Sequence, residues 1–257
     1  MGVVPALSVA NVSRSFGELR ATDNVSFEVD DGTICALVGP NGAGKTTLFN
    51  LITNLFTPDT GSVSLYGRAL TGLSAAQIAG LGLIRTFQTA RVFPGMTVLE
   101  NVLVGRHRLL RQSLLSSMIR MPSARREERD LHQRAEALLD LVGLLPYRDT
   151  HAVQLPMGAQ KLLEVIRALM AQPRILLLDE PAAGLNDTET EELALLLRAI
   201  RADGITILLV EHNMSLVMNV ADRVVVLEAG KRIAAGPPAQ IQTDPRVIAA
   251  YLGAEVA

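Results

Sequence analysis

The sequence predicts an α/β fold: a mainly parallel sheet, an antiparallel β flap and an inserted helical subdomain. Three observations lead there. The apolar, β-rich runs Thr33–Val38, Arg174–Leu178 and Gly204–Val210 each lead into a loop or helix. None of them alternates strictly, the pattern of strands covered on both faces of a parallel sheet. Helical periodicity lies between the runs, and strand–helix–strand repetition builds a βαβ sheet.

In chain order, residues 7–32 read as short strands with turns, including Ser26–Val29 and the turn Asp30–Gly32, and Ser62–Tyr66 adds another. Together they form the flap. Thr33–Val38 is the first core strand and Thr46–Leu55 the helix after it. From Thr97 to about Leu145 the chain reads as helical and dense in charge. There Leu131, Ala135, Leu138, Leu139 and Val142 make an apolar stripe, and the run Arg125–Asp130 reads as a solvated face. Ala159–Ala171 repeats the helical spacing through Leu162, Ile166 and Leu169 before Pro173 closes it. In Asn186–Ala202 the residues Leu193, Leu196, Leu197 and Ile200 share one face, and Asp203–Gly204 is a stop. The expectation is one domain over residues 1–257 with a helical insert at about 89–158.

Bulk properties narrow the function classes. A hydrophobic fraction of 49% with 19% charged residues suits a compact α/β protein rather than a disordered one. A net charge of −2 gives no electrostatic case for nucleic-acid binding. The single cysteine, Cys35, excludes an internal disulfide, fits a reducing compartment and reads as a small apolar residue of a buried strand. The start MGVVPALSV lacks the basic, then apolar, pattern of a signal peptide. The longest uncharged run, Ala69–Ile84, is too short and too rich in Gly, Ser, Thr and Gln to span a bilayer.

The strongest motif is Gly39-Pro40-Asn41-Gly42-Ala43-Gly44-Lys45-Thr46, which fits GxxxxGK[ST] between a strand and a helix. Its glycines let the chain curl so that successive N–H groups face phosphate oxygens, and the helix N-terminus adds partial positive charge. Lys45 is placed to reach the β- and γ-phosphates and the Thr46 hydroxyl to coordinate Mg²⁺, with Thr47 beside it in the same turn. A P-loop NTPase using ATP and Mg²⁺ is the expectation. The second motif, Ile175-Leu-Leu-Leu-Asp179-Glu180, ends an apolar strand in two acids. Asp179 can hold Mg²⁺ through a water and Glu180 can polarise the attacking water. Alone that pattern is common; beside a P-loop it carries weight.

With both motifs in place the whole chain resembles the ATP-binding-cassette family, whose core is RecA-like. The resemblance implies that Phe16, in Val12-Ser-Arg-Ser-Phe16-Gly17, stacks on adenine, though a core phenylalanine fits the same residue. It implies that Gln88, ending Leu83-Ile-Arg-Thr-Phe-Gln88, touches Mg²⁺ and the attacking water and senses the membrane partner. His212, ending Ile207-Leu-Leu-Val-Glu-His212, matches the histidine that contacts the γ-phosphate. The family's Leu-Ser-Gly-Gly-Gln signature aligns with Leu155-Pro156-Met157-Gly158-Ala159, keeping Leu155 and Gly158 and losing the Ser hydroxyl. Gly158 and the helix N-terminus after it remain as an anion site for the opposite subunit's ATP. In Ala183-Gly-Leu-Asn186, Asn replaces the usual Asp.

These departures, the long helical insert and the ending Val247-Ile-Ala-Ala-Tyr251-Leu-Gly253 resemble ATPase subunits of importers for branched-chain amino acids and related amides such as urea. The resemblance implies catalytic roles for Glu180, His212 and Lys45, and Mg²⁺ held by Thr46, Gln88 and Asp179. It also implies a second ATPase subunit, identical or homologous, two transmembrane permease subunits and, indirectly, a substrate-binding protein. Residence would be peripheral, on the cytoplasmic face of the membrane. The helical insert and the Gln88 loop would receive a membrane-subunit helix, with Arg106–Met121 either on that surface or a local elaboration. A soluble ABC ATPase acting on DNA or ribosomes is the alternative; it favours a coiled coil, tandem cassettes or a basic surface, none of which is seen. A P-loop small-molecule kinase is disfavoured by the joint presence of Gln88, Asp179-Glu180 and His212.

Overall fold

The computed structural model describes residues 4–86, 92–106 and 122–254. Gln88 and residues 107–121 of the Arg106–Met121 stretch lie outside them. The chain divides into two compact units: Met1–Arg85 with Arg174–Ala183 and Leu197–Ala257, and Thr86–Pro173 with Gly184–Leu196.

In the first unit, β1 (Leu7–Phe16), β2 (Leu19–Val29), β4 (Thr60–Leu65) and β5 (Arg68–Ala69) form an antiparallel sheet in the order β2-β1-β4-β5. This is the expected flap, with longer strands than the sequence suggests. Asn11 and Asn24 adopt positive φ and the β1–β2 register shifts on either side of Val12. These bulges break the period-two pattern, so each long strand reads as short pieces. The second sheet runs β10-β9-β3-β8-β7-β6, built from β3 (Ile34–Val38), β6 (Leu83–Arg85), β7 (Ile175–Asp179), β8 (Thr206–Val210), β9 (Arg223–Glu228) and β10 (Lys231–Gly236). All neighbours pair in parallel except β9 and β10. Every residue of β3, β7 and β8 is buried, which is why these runs are uniformly apolar.

Alternate residues of β3 serve different cores. Cys35 and Leu37 pack with Leu48, Phe49 and Ile52 of α1 (Lys45–Ile52) and with Val9 and Val63 of the flap. Ala36 and Val38 face Val217, Ile241 and Val247. Those three belong to α7 (Met214–Val220), α8 (Pro238–Thr243) and α9 (Pro245–Ala254). Cys35 is buried and its thiol is pushed up to about 12 by desolvation, so it is an inert core residue. The first unit also holds α2 (Ala75–Gly80), begun by a Ser74/Gln77 capping box.

The second unit is mainly helical where it is described. It holds α3 (Val98–Val104), α4 (Pro122–Leu141), α5 (Met157–Leu169) and the N-terminal turns of α6 (Asp187–Ala202), whose later turns belong to the first unit. A Thr97/Glu100 capping box starts α3. Buried Asn101 donates to the Thr97 carbonyl at 2.9 Å and accepts from the Phe93 N–H at 2.8 Å, fixing the turn before α3. Ala135 and Leu139 of the α4 stripe are buried. Among the described residues no helix is long and apolar enough to cross a membrane.

Candidate nucleotide site

Three parallel strands end side by side in the first unit, and each ends on a predicted motif. Leu37 of β3 pairs with Val210 of β8, and Asp179 of β7 also pairs with Val210. The P-loop, the Asp179-Glu180 pair and Glu211-His212 therefore leave the carboxyl edge of one sheet together, where open α/β folds bind ligands.

The P-loop is fitted against backbone on two sides. Gly44 has φ 97°, and a Cβ there would overlap the Ala21 carbonyl of β2. A Cβ on Gly39 would overlap the Leu227 carbonyl of β9. The frame is closed by the Gly230 N–H donating to the Ala43 carbonyl at 3.1 Å and the Asp23 N–H donating to Gly230 at 2.8 Å. No side chain caps α1, which follows Gly44, so its first amides remain directed at the loop. Asn41, Gly42 and Thr46 are exposed, and Pro40 and Thr47 are half-buried.

Lys45 is buried, and its ammonium donates to the Gly39 carbonyl at 2.6 Å and to Pro40 at 3.0 Å. Burial holds its pKa below the ordinary lysine value, and the charges of Glu180 and Asp179 oppose that shift.

Asp179 is buried, and its Oδ2 accepts from Arg85 Nη2 at 2.8 Å. The same guanidinium donates from Nη1 to Asn50 Oδ1 at 2.7 Å and lies 5.3 Å from the Phe49 ring centre. Asp179 Oδ1 has no hydrogen-bond partner among the described residues. Such an orphaned buried oxygen fits a hydrated Mg²⁺. Among the described residues no group of three or more His, Cys, Asp or Glu could hold a metal. An ion here would therefore draw ligands from Thr46, water and phosphate, as Mg²⁺ commonly does.

Burial raises the Asp179 pKa above the usual carboxylate value, and Arg85 opposes the rise. A raised folded-state pKa means that ionising Asp179 costs stability: its contribution is full below the unfolded value and is lost as pH rises through the folded one. Arg85→Met is therefore expected to raise that pKa further and move the acid limb of the ATPase pH profile upward. It should also cost about 3 kcal/mol of stability. An unmoved acid limb would separate Arg85 from Asp179 ionisation.

Glu180 has φ 49°, a left-handed conformation rare for a residue with a side chain and found where function holds strain. Its N–H donates to the Val210 carbonyl at 2.9 Å, and its Oε2 lies 4.0 Å from His212 Nδ1. Phe16, at 41% exposure, is not a core residue. Its ring lies edge-on to Phe56 at 5.4 Å, with Arg14 5.1 Å from its centre.

Gly158 belongs to the second unit. It is buried in the first turn of α5, and a Cβ there would overlap the Glu189 carboxylate. Glycine at this position lets the Glu189 carboxylate lie directly against the α5 backbone. Glu189 in turn accepts from the Asn186 N–H at 3.0 Å while Asn186 Oδ1 accepts from the Glu189 N–H at 3.0 Å. Asn186 therefore caps α6, a role that Asn and Asp fill equally well. The sequence carried that signal as Asn-x-x-Glu. Two members of the site escaped sequence reasoning, Arg85 and Glu211; an arginine in a short strand and a Glu beside a His show no burial signal.

A P-loop closed by two sheets, an acidic pair on the next strand but one and a histidine between them define an ATP-binding P-loop cassette. The ABC transporter family matches residues 22–183, and a C-terminal family described as branched-chain amino acid ATP-binding cassette transporter matches residues 231–257. The high-affinity branched-chain amino acid transport ATP-binding protein LivG of Salmonella typhimurium is 45% identical over 97% of this chain and 98% of its own length. BraF of Pseudomonas aeruginosa, with the same description, is 42% identical over 97% and 98%. The crystal structure of an ABC-transporter ATP-binding cassette in its ADP conformation matches with a TM-score of 0.84 at 33% identity, covering 97% of this chain and 99% of that one. The chain belongs to the ABC transporter family, as an ATPase that binds and hydrolyses ATP.

Proposed function

We propose that this chain powers uptake of branched-chain amino acids or related small polar solutes as the ATPase subunit of an importer. The supporting observation is the convergence of Lys45, Asp179, Glu180 and His212 at adjoining strand ends in a chain similar to LivG and BraF over nearly its full length. ATP enters with its phosphates on the amides of Gly39–Thr47 and its adenine on Phe16. Lys45 transfers its hydrogen bonds from loop carbonyls to phosphate oxygens. Glu180 takes the proton of the attacking water, and His212 holds the γ-phosphate. Thr46, Gln88 and, through a water, Asp179 would hold Mg²⁺, which would supply charge neutralisation on the phosphates. The remainder of the barrier is lowered by positioning and fixed dipoles.

One chain carries one P-loop and one signature helix, so a site is completed by Gly158 of a second ATPase subunit. Two permease subunits anchor the pair at the cytoplasmic face of the membrane, and a binding protein delivers solute. Expected in proteoliposomes with the permeases and binding protein is ATP hydrolysis stimulated by leucine or isoleucine. Stimulation by an unrelated solute and not by these would overturn the substrate assignment.

The Pro156 signature is proposed to suffice for closure of the pair. A Pro156→Ser/Ala159→Gln variant in a hydrolysis-blocked background should dimerise with ATP as the native sequence does, by size-exclusion chromatography with light scattering. ATP-driven dimers seen only after the double substitution would show the native half-site to be degenerate.

A further inference from the structure

Glu211 is fully buried, yet it is an acid between an apolar strand and an exposed histidine. Its carboxylate takes three backbone N–H groups from two segments. Oε1 accepts from Ala182 at 2.7 Å. Oε2 accepts from His212 at 3.1 Å and from Asn213 at 3.2 Å.

The Ala182 amide is the first available after Glu180, because Pro181 has none. One carboxylate thus clamps the turn carrying Glu180 to the turn carrying His212. The two side chains lie within 4.0 Å of each other, and His212 Nδ1 is 3.9 Å from Glu211 Oε2 as well. The β-sheet ladder cannot supply this tie, because the β7–β8 pairing ends at Asp179 and Val210. Beyond that point the Glu180 N–H bond to Val210 and the Glu211 carboxylate both tie the turns together. A neutral side chain could not do the same work. An amide offers one accepting oxygen, and its NH₂ would face the N–H groups on one side of the clamp.

We propose that Glu211 is a positioning residue for ATP hydrolysis, fixing the separation of Glu180 and His212 through the backbones that carry them. It is fully buried and acts through the backbone N–H groups it holds. Its loss lets the two turns move independently, and misplacement of order an ångström is enough to slow a reaction by about a hundredfold. This rests on reading Glu180 and His212 as the hydrolytic pair.

The test uses the full chain and the variants Glu211→Ala, Glu211→Gln and Glu180→Gln. Binding-competent sites are titrated with a fluorescent ATP analogue, and turnover is expressed per competent site, which removes any loss of folded protein. Glu211→Ala is expected to lower kcat per site by about 10- to 100-fold with KM for ATP unchanged. Glu211→Gln, of the same size and shape, is expected to fall between it and the native chain. It decides the matter should the alanine variant not fold. Native kcat per site in Glu211→Gln, with Glu180→Gln inactive, would overturn the role of Glu211 alone. Native turnover in Glu180→Gln would instead overturn the reading of the hydrolytic pair.

Discussion

Glu180→Gln is expected to reduce ATP hydrolysis by about 10²- to 10⁴-fold while leaving ATP binding intact, the magnitude of a lost general base. The replacement is isosteric and keeps the backbone N–H bond to Val210 at 2.9 Å, so the left-handed turn at φ 49° survives. Lys45 and the P-loop amides are untouched, and the affinity for nucleotide rests on them. Removing the negative charge also lessens repulsion of the phosphates, so ATP should be held at least as tightly. The measurement pairs steady-state phosphate release with equilibrium binding of labelled ATP. Undiminished turnover would remove Glu180 as the base; lost binding would place it in the phosphate cradle instead.

Gly44→Ala is the second large effect. Two independent penalties act at this residue: a φ of 97° that L-residues rarely adopt, and a Cβ directed into the Ala21 carbonyl. The obstacle is backbone near the start of β2, which cannot rotate aside as a side chain would. The chain must instead shift at the start of α1, where the amides point at phosphate. About 3 kcal/mol of stability is expected to be lost, together with most ATP affinity. Thermal denaturation with and without ATP would read both: a lower midpoint, and loss of the upward shift that nucleotide gives the native chain. A variant with native midpoint and native shift would show the loop to be more pliant than its packing implies.

The parts of this fold that could be read from residues are those where one physical demand dominates. β3, β7 and β8 are buried throughout, so nothing but apolar residues fits them. The P-loop is legible because close approach to phosphate leaves little choice but glycine. β1 and β2 were obscured by their own bulges at Asn11 and Asn24. β9 and β10 complete the sheet, but they carry no motif that marks them in the sequence. Gly158 was noticed for phosphate, whereas its neighbour Glu189 supplies a packing reason that only tertiary structure reveals. Glu211 and Arg85 illustrate the same limit: their residue types suggest surface charge, and their work depends on burial.

The position of Lys45 has a thermodynamic corollary. Its ammonium is already desolvated and seated on the Gly39 and Pro40 carbonyls at 2.6 and 3.0 Å, with its pKa held below the ordinary lysine value. Arrival of a polyanion restores preference for the charged form, so wherever part of the lysine population is neutral, nucleotide capture takes up a proton. Calorimetric titrations in buffers of different ionisation enthalpy would reveal that uptake as a slope, larger at higher pH and vanishing where the lysine is fully protonated. The loop that grips phosphate is by this route also a proton-coupled one.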